Sequence, residues 1–147
     1  MTQEDKDLLL RDLCARLPYR VKVNYNEEVC TIDSIGNDSE LLLKNNDGEI
    51  IPKWEDSLFI SIEKCKPYLF PLSSMTEEQK IECFKGTPLE IDKYGDISVK
   101  DNSYGGSQYT DLEIYLEVIN WLLKNHFDFR GLIPKGLAVD CTNLNIY

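Results

Sequence analysis

The sequence predicts an α+β fold on three observations. Its opening stretch has helical apolar spacing, its middle alternates apolar and polar residues in short runs between turn formers, and a second amphipathic stretch runs near residues 111–126. The 147 residues suit a single compact domain, expected to bury roughly 68–70% of the surface that its unfolded chain exposes. Two sub-parts are expected within it: a helix plus β-meander over 1–65, and over 66–147 a connector, short helix, hairpin, long helix and C-terminal strand.

The first helix opens at Thr2, which with Asp5 resembles a capping box. Leu9, Leu10, Leu13, Cys14 and Leu17 recur at helical spacing, and Asp7 with Arg11 and Asp12 with Arg16 form favourable i, i+4 pairs. Pro18 ends the helix. "YRVKVNY" then sets Tyr19, Val21, Val23 and Tyr25 on one face and Arg20, Lys22 and Asn24 on the other, as in a half-buried strand. Asn26-Glu27-Glu28 makes the first reversal, after which "VCTIDSI", "ELLLK", "EII" and "LFISI" read as four more strands. Gly36-Asn37-Asp38 and Asn45-Asn46-Asp47-Gly48 supply the turns. Five such strands make an antiparallel meander, expected to curl into a small SH3-like barrel that hides its edges.

In "KCKPYLFPLSSM", Pro67 and Pro71 exclude a helix and fit an extended connector across the sheet. Thr76 with Gln79 caps a short helix, "TEEQKIECFK", whose inner face would be Ile81 and Phe84 with Cys83 alongside, and which Gly86 closes. "PLEIDKYGDISVK" reads as a hairpin about Lys93-Tyr94-Gly95-Asp96, and "DNSYGGSQY" as the most mobile interior loop. Thr110 with Glu113 starts the strongest helix, with Leu112, Tyr115, Leu116, Ile119, Leu122 and Leu123 on one face. Ile114, Val118 and Trp121 widen that face, so the helix is expected to be largely buried.

With 26 acidic against 16 basic residues, the formal charge of −10 disfavours nucleic acid and anionic lipid as partners. The N-terminal "MTQEDKDLLLRDLC" lacks a signal peptide's basic and apolar regions, and no apolar run approaches the ~18 residues of a membrane span, so a cytoplasmic protein is expected. Cys14, Cys30, Cys65, Cys83 and Cys141 form no C-x-x-C pair and read as reduced thiols. With one histidine in the chain, neither metal nor cofactor is expected.

"LLLRDLCARLPYRVKV", "TIDSI", "KPYLFPLSSMTEEQ" and "WLLKNHFDFRGLIPKGLAVD…LNIY" together resemble a group of small proteins carried by phages and prophages of gut bacteria. The resemblance covers both ends and the middle but not residues 85–110, and it brings no activity with it. It implies a mobile-element accessory protein in a bacterial cytoplasm.

Two classes of function stay open. One is a non-enzymatic interaction module that contacts a host or element-encoded protein through the small barrel or the Tyr104–Tyr109 loop, with Tyr104, Tyr109 and Arg130 as the partner-binding candidates. An acidic surface standing in for phosphates on a basic partner is one form of it, and ordinary solubilising charge is the alternative. The other class is a small enzyme with its site between the halves. Cys83 or Cys141 would need His126 as base and Asp128 or Asp140 to orient it, yet no nucleophile elbow accompanies them. Glu77, Glu78, Glu113, Glu117 and Asp33 are carboxylates without a distinguishing context, "NNDGE" is a turn and not a calcium loop, and "SYGGSQY" lacks the pattern of a phosphate cradle.

"HFDFRGLIPKGLAVD" is expected to be a structural return. His126 would sit in the last helical turn as a cation favoured by the dipole, Phe127 and Phe129 would bury, and Asp128 would point away. Gly131 and Gly136 would permit bends, Pro134 would bar helix, and "LAV" would form a strand. Arg130 would pair with a nearby acid such as Asp128 or else face a partner.

Overall fold

The computed structural model describes residues 1–51, 59–87, 89–99 and 112–147. Helix α1 (Gln3–Arg16) opens with the expected capping box, in which the Thr2 hydroxyl accepts from the Asp5 N–H and the Asp5 carboxylate from the Thr2 N–H. Leu9 and Leu13 are buried, and so are Asp12 and Arg16. A 3₁₀ turn follows over Leu17–Tyr19, and Arg20 takes φ 54°, so the first strand starts at Lys22 and Tyr19 lies outside it.

Strands β1 (Lys22–Tyr25) and β2 (Glu28–Ile35) are joined through Asn26 and Glu27, both at positive φ, the geometry whose twist matches a two-residue hairpin. β3 (Glu40–Lys44) continues the meander. β4 (Ile50–Ile51) and β5 (Ile60–Ser61) then pair with opposite ends of β3: Leu43 lies opposite Ile51, and Leu41 opposite Ile60. Both therefore lie antiparallel to β3, at its two ends.

The expected connector is instead strand β6 (Lys66–Pro71), which lies inside the sheet. It runs antiparallel to β1 and parallel to two short C-terminal strands, β9 (Phe127–Asp128) and β10 (Val139–Asp140). Phe70 N–H donates to His126 O and Leu69 O accepts from Cys141 N–H; these two groups share a peptide unit and point opposite ways, so β9 and β10 flank β6 on opposite edges. By the two-residue period, both proline nitrogens face the β10 edge just beyond its two-residue ladder, where no donor is required. The prolines therefore exclude a helix without excluding a strand. The sheet runs β10-β6-β1-β2-β3-β4, and no ladder among the described residues joins β4 or β5 to β6 to close a barrel.

Helix α2 (Glu77–Phe84) carries the Thr76–Gln79 capping box, and β7 (Leu89–Ile91) and β8 (Ile97–Val99) form a separate two-stranded hairpin whose turn has Gly95 at φ 93°. Helix α3 (Leu112–Lys124) is less buried than expected: Val118, Leu122 and Leu123 are inside, whereas Leu112 is 70% exposed, because the packing is concentrated in its last two turns. Two apolar clusters result. The first joins α1 and the meander to Leu132 and Leu137 of the C-terminal return, and the second holds Met75, Phe84, Leu89, Val118, Leu122 and Phe127.

Candidate functional site

The return after α3 is built around a buried charge cluster. Arg16 binds Asp12 at 2.6 Å (Nε to Oδ2) and 3.2 Å (Nη2 to Oδ1). Its Nη2 also donates to Phe127 O at 2.8 Å, and its Nη1 to Leu123 O at 3.4 Å, satisfying a carbonyl at the end of α3. Arg130 Nη1 reaches the same Asp12 carboxylate at 3.1 Å, with its guanidinium 4.8 Å from the centre of the Phe129 ring. Asp128 is buried and accepts from the Leu132 and Ile133 N–H groups at 2.9 and 2.7 Å. Two carboxylates thus balance two guanidiniums, and each has a hydrogen-bonded place.

This arrangement corrects three expectations. Arg130 does pair with an acid, but the acid is Asp12, not Asp128. Asp128 turns inward, because the tight bend at Gly131 leaves two successive N–H groups that need an acceptor. His126 lies beyond the last turn of α3, at φ 60°, stacked 3.9 Å from the Tyr147 ring. Burial, helped by the Arg16 charge, pushes its pKa down to about 4, so at neutral pH it is uncharged and offers the helix dipole no cation. The bends at Gly131 and Gly136 are as expected, both at φ 70°. Tyr104 and Tyr109, with the loop that carries them, lie outside the described residues.

The nucleophile candidates sit in unfavourable surroundings. Burial pushes the Cys83 thiol up to about 12 and that of Cys141 to about 11, the reverse of what an attacking thiolate needs. His126 is held against Tyr147. Among the carboxylates, Glu77 pairs with Lys80 and Asp33 with Lys44, both at exposed positions. "NNDGE" is a turn, with the Asn45 side chain accepting from the Asp47 and Glu49 N–H groups. No cluster of three or more metal-ligating side chains occurs among the described residues.

A groove of about 350 Å³ runs between α2 and β7. Glu77, Lys80, Ile81 and Phe84 line one wall at i, i+3, i+4 and i+7, a single helix face. Leu89, Glu90 and Ile91 line the other wall. Successive strand residues point to opposite faces, so three in a row border one groove only along the strand's edge. That edge is open. Asp92 N–H donates to Asp96 O, which makes the 92–96 pair hydrogen-bonded; alternation then leaves Ile91 opposite Ile97 in a non-hydrogen-bonded pair, its N–H and C=O directed away from β8. Ile81, expected inside, is 69% exposed beside this edge, because Cys83 and Phe84 take the buried side of α2. Sequence reasoning missed the groove by giving Ile81 a core role. The available signal was that a three-residue strand pair leaves an edge for something to cover.

No family model, curated protein or solved structure matches the chain. Fold and groove together define a small α+β protein with a helix–strand cleft and, among the described residues, a strand edge without a partner.

Proposed function

We propose that this chain is a non-enzymatic interaction module that receives an extended segment of a partner protein along the outer edge of β7, against α2. The observation that carries this reading is the outward-facing Ile91 N–H and C=O in an apolar groove: strand addition takes affinity from such main-chain groups and specificity from pockets for alternate side chains. On the groove's walls Glu77 and Glu90 balance Lys80 and Lys85, so selectivity rests on Ile81, Phe84, Leu89 and Ile91 and favours a segment with alternate apolar residues. The net charge of −10 disfavours nucleic acid. No helix among the described residues is long and apolar enough to cross a membrane. A mobile-element accessory role in a bacterial cytoplasm, acting on a host or element-encoded protein, fits the sequence resemblance.

Selection from a random-peptide display library tests the reading. Enriched peptides should carry apolar residues at alternate positions, protect the Ile91 amide from hydrogen exchange and lose binding to Ile81→Asp. Peptides that bind while leaving Ile91 exchange unchanged, or a selection that enriches none, would overturn it.

A further inference from the structure

A second cavity, of about 470 Å³, lies beside the return, on the side of α2 away from the groove. Its apolar lining is aromatic: Phe70, Phe127, Tyr147 and the neutral His126. The Phe70 ring centre is 5.8 Å from that of Phe127 and 6.0 Å from that of Tyr147, while Tyr147 stacks on His126. Among the described residues, Lys124 is the only charged side chain on its lining, no Asp or Glu lines it, and no ion pair engages the Lys124 ammonium. Asn125, also on the lining, donates its Nδ2 to Trp121 O.

The remaining polar groups sort by what they still have to give. Gln79 spends its Oε1 on the Thr76 N–H, which leaves its amide NH₂ available. The Thr76 hydroxyl accepts from the Gln79 N–H and donates to the Glu78 carboxylate, so it is spent. The Ser74 and Thr142 hydroxyls already donate, to Pro71 O and to the Asp140 carboxylate. His126 is 8% exposed and its Nδ1 has no hydrogen-bond partner.

We infer that this cavity binds a small aromatic carboxylate, with the ring against Phe70, Phe127 and Tyr147 and the carboxylate taken by Lys124 and the Gln79 amide. An ammonium and an uncommitted amide NH₂, in a cavity whose described lining carries no carboxylate, select a small anion, and four ring systems select a flat apolar body. The volume falls within the range of small-molecule sites.

The test is to titrate the isotopically labelled full chain with indole-3-acetate and, separately, with the neutral indole-3-acetamide, following backbone amide resonances. Indole-3-acetate should shift Asn125, His126 and Thr142, and the amide should bind about tenfold more weakly or not at all, the size expected for one charge-assisted contact. Lys124→Met, a change at an exposed side chain, should weaken the acetate about tenfold and leave the amide's binding as it was. Equal binding of the two compounds, shifts confined to other parts of the molecule, no shifts, or full acetate affinity in Lys124→Met would each overturn the assignment.

Discussion

The return over residues 126–140 and the groove along β7 are both places where a helix gives way to a short strand, and they treat their polar groups in opposite ways. In the return, Asp12, Arg16, Asp128 and Arg130 are all engaged with one another or with main-chain groups. Along β7, the Ile91 peptide groups face outward, and Ile81 stands exposed beside them. A stretch rich in chemically suggestive residues can thus be wholly occupied with holding the fold, while a bland stretch keeps the unspent bonding capacity that recognition requires.

The comparison breaks first at Asp12. Asp12→Ala leaves Arg16 buried without its carboxylate and should cost about 3–5 kcal/mol, lowering the melting temperature by roughly 10 °C. A variant that melts with the native protein would mean that the cluster is not what holds the return.

His126 supplies the next largest effect. Its pKa lies near 4 in the folded chain, against 6.5 unfolded, so the unfolded state binds the proton more readily between those values. The stability due to a neutral His126 is present in full above pH 6.5, and about 3 kcal/mol should be lost as the pH falls to 4. His126→Asn keeps a residue type that tolerates positive φ and should remove this part of the pH dependence; denaturant unfolding of the two proteins at pH 7.5 and 4.5 measures the difference.

Arg130→Ala should cost less, about 1–2 kcal/mol in chemical denaturation, because Arg130 is partly exposed and Asp12 keeps Arg16. If the variant kept full stability but lost peptide binding, Arg130 would be a recognition residue. Ile81→Asp should change stability least, within about 0.5 kcal/mol, while abolishing binding of the selected peptides, as read by fluorescence anisotropy.

Local order was legible wherever one period or one cap decided it. Thr2 with Asp5, Thr76 with Gln79, the alternation through Val21, Val23 and Tyr25, and the turn at Gly95 all stand where their local chemistry puts them. What escaped depends on partners far away in sequence. Asp12 with Arg16 reads as a favourable helix pair until the pair is buried and Arg130, 118 residues on from Asp12, joins it. Pro67 and Pro71 bar a strand only where an N–H is needed, and that depends on how little of β6 is paired to β10. The groove was illegible because no residue type announces an unpaired edge.

The position of β6 also bears on how the chain reaches this structure. β1 to β3 zip through short turns, but β6 is complete only when Tyr68 meets Val139 and Phe70 meets Phe127, contacts that close large loops. The entropy of that closure is lost before its contacts reward it, so the folding barrier rises with these pairings and not with the meander. On the growing chain the meander can form early, but β6 must wait, its edges only partly dressed, until residues 127–140 have been made.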